Sequence, residues 1–263
     1  QTSARAAIVI YSKISGTGRC LPDNLVTNAD LEKMVDTSDE WIRSRTGIER
    51  RHIAAEGETT SDLCVGAARE AIEAAGVRPE DIDFIAVGTT TPDQVFPNVG
   101  CLVQEKLGIR GCPAFSLETA CSGFIYGMIN ADALIRAGLA RRILVVGAES
   151  MTKIMNWEDR STCVLFGDGA GAAILEETDE NTGIRSSIWG ADGNLGKLLY
   201  QPAGGTAMPA SKETVEKNLH TVHMEGNQVF KHAVLRMQEA AMEALRRARM
   251  SVEDIALYIP HQA

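Results

Sequence analysis

The sequence predicts an α/β fold built from two similar halves, and three observations carry that expectation. Strand-like runs at 82–87, 114–117, 143–146 and 172–175 alternate with helix-like runs at 61–75, 98–107 and 121–137. Gly76, Gly108 and Gly138 stand just past the three helical runs, where a left-handed residue suits the end of a helix. An internal self-match then ties the two ends of the chain together. AAREAIEAAGVRPEDIDFIAVG, from Ala67, aligns without a gap on AAMEALRRARMSVEDIALYIPH, from Ala240.

The first helix-like run ends at Gly76, and IDFIAV follows as a strand. The second ends at Gly108, ahead of the short apolar run AFSL at 114–117. The third begins near Cys121, with Phe124, Ile125, Met128 and Ile129 at helical spacing, and stops at Gly138 before ILVV. In the self-match Glu80, Asp81 and Ile82 fall on Glu253, Asp254 and Ile255, so both copies read as helix, loop and strand, with the second strand over 255–259. The expected division is an N-terminal half at 8–178 and a C-terminal half at 179–263. The first copy continues well past Gly88 to about Leu175, whereas the second stops at Ala263. By this repeat logic the second half is expected to be incomplete by about 85 residues.

At 263 residues and 44% hydrophobic content the chain can bury a large core. A net charge of -9 argues against a general nucleic-acid or membrane-surface binder. The six cysteines are scattered, with no C-x-x-C pair and no histidines at metal spacing, so no zinc site is expected. The apolar run at 6–11 is too short for a signal-peptide core or a membrane span. A cytoplasmic protein with reduced thiols follows as the expectation.

FGDGAGAAIL at 166–175 lacks the G-x-G-x-x-G spacing and is followed by a strand-like run where a helix would be needed. It reads as a tight turn between closely approaching backbones, not as a nucleotide loop.

In AFSLETACSGFIYGM, Cys121 falls at the joint between a strand and a helix. A helix N-terminus offers unpaired N–H groups and partial positive charge, which favour a thiolate and cradle an oxyanion. A small buried core cysteine would look the same in sequence. His261, after Pro260, ends the expected strand of the second copy. A helix-start thiol with a strand-end imidazole is the pairing needed for nucleophilic acyl transfer, although a packed or surface histidine fits the same position.

TSDEWIRSRTGIERRHIA at 37–54, ACSGF around Cys121, DRSTCVLFGDGAGAA at 159–173, MEGNQVFK at 224–231 and IPHQA at 259–263 together resemble the β-ketoacyl-[acyl-carrier-protein] synthase III family. The resemblance runs over nearly the whole chain from about Tyr11. It implies a thiolase-like fold, two pseudo-duplicated βαβαβ halves in an α-β-α-β-α arrangement. The implied reaction is a decarboxylative condensation of a short acyl-coenzyme A with malonyl-acyl carrier protein. The implied nucleophile is Cys121, with His261 as one member of a His-Asn pair whose asparagine has no counterpart here. Trp41, Arg45, Arg160 and Gly226 match coenzyme A contacts, and a tryptophan opposite a guanidinium suits a flat base. Phe96 resembles an aromatic reaching across a homodimer interface into the acyl pocket, Phe230 one lining the substrate tunnel, and Lys231 a carrier-protein contact. Arg236, Arg246, Arg247 and Arg249 extend that basic region, which a solvated helix face explains equally. No metal or redox cofactor is implied, the coenzyme A thioester being substrate. A secondary-metabolite synthase of the same superfamily, or an inactive interaction subunit, would carry the same motifs.

Overall fold

The computed structural model describes residues 9–262; the first half of the apolar run at 6–11 and the final residue of the IPHQA motif lie outside them. In chain order the elements are β1 (Tyr11–Cys20), β2 (Leu25–Thr27), α1 (Asn28–Leu31), α2 (Asp39–Thr46), β3 (Arg50–His52), α3 (Thr60–Ala75), β4 (Phe84–Gly88), α4 (Val99–Lys106) and β5 (Ala114–Leu117). They continue with α5 (Gly123–Arg136), β6 (Arg142–Ser150), α6 (Arg160–Cys163), β7 (Asp168–Thr178), β8 (Leu199–Tyr200), α7 (Lys212–Glu216), β9 (His223–Met224) and α8 (Gly226–Ala248).

Two compact units share these elements. The first comprises the chain up to Leu21, Glu56–Glu149 and Gly169–Ser187; the second comprises Pro22–Ala55, Ser150–Asp168 and the chain from Ile188 onward.

The first unit is a five-stranded sheet in the order β1-β7-β6-β4-β5, with β4 parallel to both β5 and β6 and β1 antiparallel to β7. Alternation along the central strand decides its two faces. Leu144 and Val146 of β6 pack with Leu63, Ala67 and Ala71 of α3 and with Val99 and Val103 of α4. Ile143 and Val145 pack on the other side with Met128, Ala131 and Ile135 of α5. All four β6 residues are fully buried, as a strand covered on both faces requires.

The expected helices and strands of this unit are present, and Gly76, Gly108 and Gly138 have φ of 67°, 73° and 70°. One expectation is corrected, and one strand was not foreseen. Gly169 and Gly171 lie inside β7, and Gly171 pairs with Arg19 of β1, so the segment is a strand where a tight turn was expected. β1 itself, SGTGRC at its end, gave no strand signal because its glycines serve packing. A Cβ on Gly16 would lie 2.5 Å from the backbone nitrogen of Ala75, so only glycine lets α3 settle onto this strand.

In the second unit the repeat is visible at one junction. α3 ends at Ala75 with left-handed Gly76, and α8 ends at Ala248 with left-handed Arg249 (φ 57°). Each is followed by a 3-10 turn, at Pro79–Asp81 and Val252–Asp254, closed by an aspartate accepting from a backbone N–H three residues earlier. The strand expected at 255–259 is not formed. Leu257, Tyr258 and Ile259 are exposed in irregular chain, and no neighbouring strand among the described residues supplies the ladder hydrogen bonds a strand requires.

Candidate active site

Cys121 sits in a 3-10 turn, Ala120–Ser122, that joins the end of β5 to the start of α5. The Ser122 N–H donates to the Thr119 carbonyl and closes the turn. Ala120 holds φ at 46°, a left-handed conformation that costs a non-glycine residue about 1 kcal/mol. The turn thus lifts Cys121 to an exposed position two residues ahead of α5.

The base of the turn is fixed by glycines. A Cβ on Gly88 would stand 2.7 Å from the Gly123 Cα, and a Cβ on Gly147 would stand 3.0 Å from the Phe124 Cβ. The first turn of α5 therefore rests directly on the carboxyl ends of β4 and β6. Such strand ends are where α/β sheets place their reactive groups.

The thiol does not follow the expected direction. Burial pushes Cys121 above its ordinary value, and the negative charge of Glu149 adds to this; a hydrogen bond from its own backbone N–H works the other way. Partial desolvation outweighs that hydrogen bond.

Sequence reasoning missed Glu149. It lies near the end of β6, where Oε1 accepts from the Thr90 N–H (2.9 Å) and hydroxyl (3.2 Å), and Oε2 from the hydroxyls of Thr91 (2.6 Å) and Thr89 (3.4 Å). Burial raises this carboxyl, against those donors. Three successive threonines after a strand were the available signal. They tie the exit of β4 to the end of β6, while Ser61 holds Asp93 through its N–H (2.9 Å) and hydroxyl (2.7 Å). Beyond this anchor Phe96 projects, 82% exposed.

In the second unit α2 carries Trp41 and Arg45. Ser38 caps the helix by accepting from the Trp41 N–H (3.1 Å), and left-handed Gly47 ends it. The Arg45 guanidinium carbon lies 4.5 Å from the centre of the Trp41 ring, and that of Arg160, at the start of α6, lies 5.1 Å from the ring centre. Arg160 Nη1 donates to the Asp36 carbonyl at 2.8 Å, which fixes its reach. The structure therefore brings Trp41, Arg45 and Arg160 into one cluster.

Gly226 opens α8, on which Phe230 is 70% exposed and Lys231 is exposed. An open groove of about 290 Å³ runs along this helix, lined by Leu195, Leu198 and Leu199 on one side and by Val229, Ala233 and Arg236 on the other. Phe230 is not among the side chains that line it. Arg236 pairs with Glu239, and Arg246 and Arg247 both pair with Glu243. Lys231 and Arg249 make no ion pair among the described residues. His261 is exposed in the irregular chain after Pro260. Cys121 belongs to the first unit and His261 to the second. Among the described residues there is no cluster of three or more histidine, cysteine or acidic side chains able to hold a metal, and no helix long and apolar enough to cross a membrane.

Residues 115–193 match the family described as 3-oxoacyl-[acyl-carrier-protein (ACP)] synthase III, a stretch that takes in the Cys121 turn, α5, β6 and β7. A β-ketoacyl-[acyl-carrier-protein] synthase III of Caldanaerobacter subterraneus subsp. tengcongensis is 54% identical over 254 residues, 97% of this chain and 77% of the relative. The chain belongs to the β-ketoacyl-[acyl-carrier-protein] synthase III family. The crystal structure of 3-oxoacyl-[acyl-carrier-protein] synthase III from Aquifex aeolicus superposes with a TM-score of 0.88 at 44% identity, over 96% of this chain and 77% of that one. The priming β-ketosynthase of the R1128 polyketide biosynthetic pathway superposes equally well, with a TM-score of 0.88 at 33% identity, over 99% of this chain and 77% of that one. The fold is accordingly the thiolase-like α/β fold of this family, a family of acyltransferase-type condensing enzymes.

Proposed function

We propose that this protein starts a type II fatty acid chain by a ping-pong condensation of a short acyl-coenzyme A with malonyl-acyl carrier protein. The observation that carries the reading is Cys121, an exposed residue held on a strained turn over the glycine-lined ends of β4 and β6. Its sulfur attacks the thioester carbonyl, the tetrahedral oxyanion accepts from N–H groups including that of Cys121, and the bond to the coenzyme A sulfur breaks. Coenzyme A leaves with the thiol proton. Malonyl-acyl carrier protein then loses carbon dioxide, and the resulting enolate carbon attacks the acyl-cysteine carbonyl, returning the Cys121 sulfur.

In this reading His261 polarises the malonyl thioester carbonyl as the enolate forms. Trp41, Arg45 and Arg160 hold the adenine and phosphates of coenzyme A, with Gly226 allowing close approach. Their mutual contact in the structure supports that assignment. Phe96 and Phe230 bound the acyl pocket, and Lys231 meets the acidic carrier protein. The far exposure of Phe96, and the position of β5 at the edge of the sheet, support a homodimer in which this loop enters the partner. The proposed organisation is an N-terminal half at 8–178 bearing the nucleophile and a C-terminal half at 179–263, in a cytoplasmic protein that uses no metal or redox cofactor.

Mass spectrometry after acyl-coenzyme A treatment tests the nucleophile. The wild-type protein gains one acyl group at Cys121 and Cys121→Ala gains none; acylation of the alanine variant would sink the assignment. The likeness to the R1128 priming enzyme favours, as a second reading, a polyketide-type primer. A panel of acyl-coenzyme A primers separates the two by the chain length that acylates fastest.

A further inference from the structure

Arg51 on β3 is a charged side chain only 5% exposed, and its Nε atom has no hydrogen-bond partner among the described residues. No carboxylate pairs with it among those residues either; the guanidinium meets only neutral oxygens. Nη1 donates to Asn28 Oδ1 at 2.9 Å and, weakly, to the Val26 carbonyl at 3.5 Å, while Nη2 donates to the Val164 carbonyl at 3.1 Å. Burying an unpaired charge is costly, and an apolar side chain of similar size would ordinarily serve stability as well or better. The geometry of the network indicates what the charge does instead.

Val164 caps the end of α6, the short helix that begins with Arg160. Asn28, 1% exposed, uses its amide to donate both to Asp39 Oδ1 and to the Ile48 carbonyl, each at 2.8 Å. Asp39 is the first residue of α2, and Ile48 follows the glycine that ends it. One amide thus grips α2 at both ends, and one guanidinium joins that amide to α6. The helices so joined carry Trp41 and Arg45 on one side and Arg160 on the other. An apolar cluster of Leu31, Ile42, Cys163 and Val164 lies beneath them, and apolar contacts alone do not fix the rotation or sliding of one helix on another.

We propose that Arg51 and Asn28 are positioning residues that set the separation of α2 and α6, and with it the spacing of the two guanidinium groups about the Trp41 indole. The proposal rests on the reading of that cluster as the coenzyme A subsite, and deepens it. Neither side chain meets substrate; both act through the helices they tie.

Asn28→Asp separates the grip on α2 from the solvation of the buried charge, because it keeps an acceptor for Arg51 and removes both amide donors. The expected result is a folded protein whose KM for acyl-coenzyme A rises about tenfold, with kcat and the KM for malonyl-acyl carrier protein within about twofold of wild type. Arg51→Lys, which keeps the charge but loses the fork, gives the same split. Trp41→Ala serves as the control. If it leaves the KM for acyl-coenzyme A unchanged, the subsite reading fails. If it raises that KM while Asn28→Asp does not, the positioning proposal fails and the subsite stands.

A readout without coenzyme A decides the positioning by itself. With Trp157→Phe and Trp189→Phe as background, Trp41 is the remaining tryptophan, and its fluorescence reports the two guanidinium groups. Asn28→Asp is expected to raise acrylamide quenching of Trp41 about twofold. Quenching equal to that of the background protein overturns the proposal.

Discussion

Gly88 at the end of β4 and Gly123 at the start of α5 touch backbone to backbone: a Cβ built on either would lie within 3 Å of the other's Cα, at 2.7 and 2.9 Å. No rotamer change relieves such a clash, because the opposing atoms belong to main chain. Gly123→Ala is therefore expected to push α5 off the sheet, cost about 2 kcal/mol or more of stability and displace the Cys121 turn. Thermal unfolding and acyl-enzyme formation should fall together. A variant of unchanged melting temperature that acylates at the normal rate would mean the contact is looser than described.

The charge of Glu149 makes a second prediction. Burial and this carboxylate both hold the Cys121 thiol above its ordinary value, so the reactive thiolate gains population only as pH rises through that raised value. Removing the charge with Glu149→Gln removes one of the two upward causes. The midpoint of the pH profile for Cys121 alkylation by iodoacetamide is expected to move to lower pH. A profile that stays in place, or moves upward, would show that the threonine-held carboxylate does not act on the thiol.

Much of the first unit was legible in sequence because its signals are local. Glycines past three helical runs mark helix ends, and apolar runs such as ILVV mark strands buried on both faces. β1 escaped because Gly16 and Gly18 serve the approach of α3, and a glycine chosen for a neighbour's backbone leaves no strand signature. The strand expected at 255–259 shows the opposite limit. Its composition suits a strand, but pairing is a property of two segments, and the described structure gives it none.

The same distinction holds at the site. Cys121 could be found because a turn between strand and helix has a sequence pattern. Glu149 was marked only indirectly, by the threonines at 89–91 whose groups it accepts from, and Asn28 and Arg51 left no local pattern, since they work by hydrogen bonds to residues elsewhere in the chain, Asn28 to Asp39 and Ile48 and Arg51 to Val164. The raised thiol belongs to this class as well. Its environment depends on how much protein surrounds the sulfur, which spacing does not report.

Thiol reactivity should sort the six cysteines by environment. Cys121 is exposed, whereas Cys64 and Cys163 are fully buried, and burial drives the Cys64 thiol far up. Under native conditions at mildly alkaline pH, Cys121 is expected to react first with a disulfide reagent. Cys64 and Cys163 should react only on unfolding. Peptide mapping after a short pulse checks the order, and early labelling of Cys64 would contradict the packing of α3 on the sheet.

The basic face of α8 separates into paired and unpaired charge. Arg246 and Arg247 share Glu243, whose carboxyl their hydrogen bonds hold down at about 2, so both guanidinium groups stay ion-paired across the physiological range and the set carries a single net positive charge. Lys231 has no such partner among the described residues, and an acidic carrier protein meeting this helix gains most from the charge that nothing else occupies. Lys231→Glu is expected to raise the KM for malonyl-acyl carrier protein about tenfold at low salt, with the difference shrinking as ionic strength rises. Arg246→Ala should change it less than about threefold, because its removal frees Glu243 to pair fully with Arg247. Neither substitution should move the rate of Cys121 acylation by acyl-coenzyme A, a half-reaction that needs no carrier. Steady-state kinetics at two salt concentrations decides the matter: equal effects of the two substitutions would place carrier docking on the helix face as a whole, and an effect on acylation would place Lys231 with the first substrate instead.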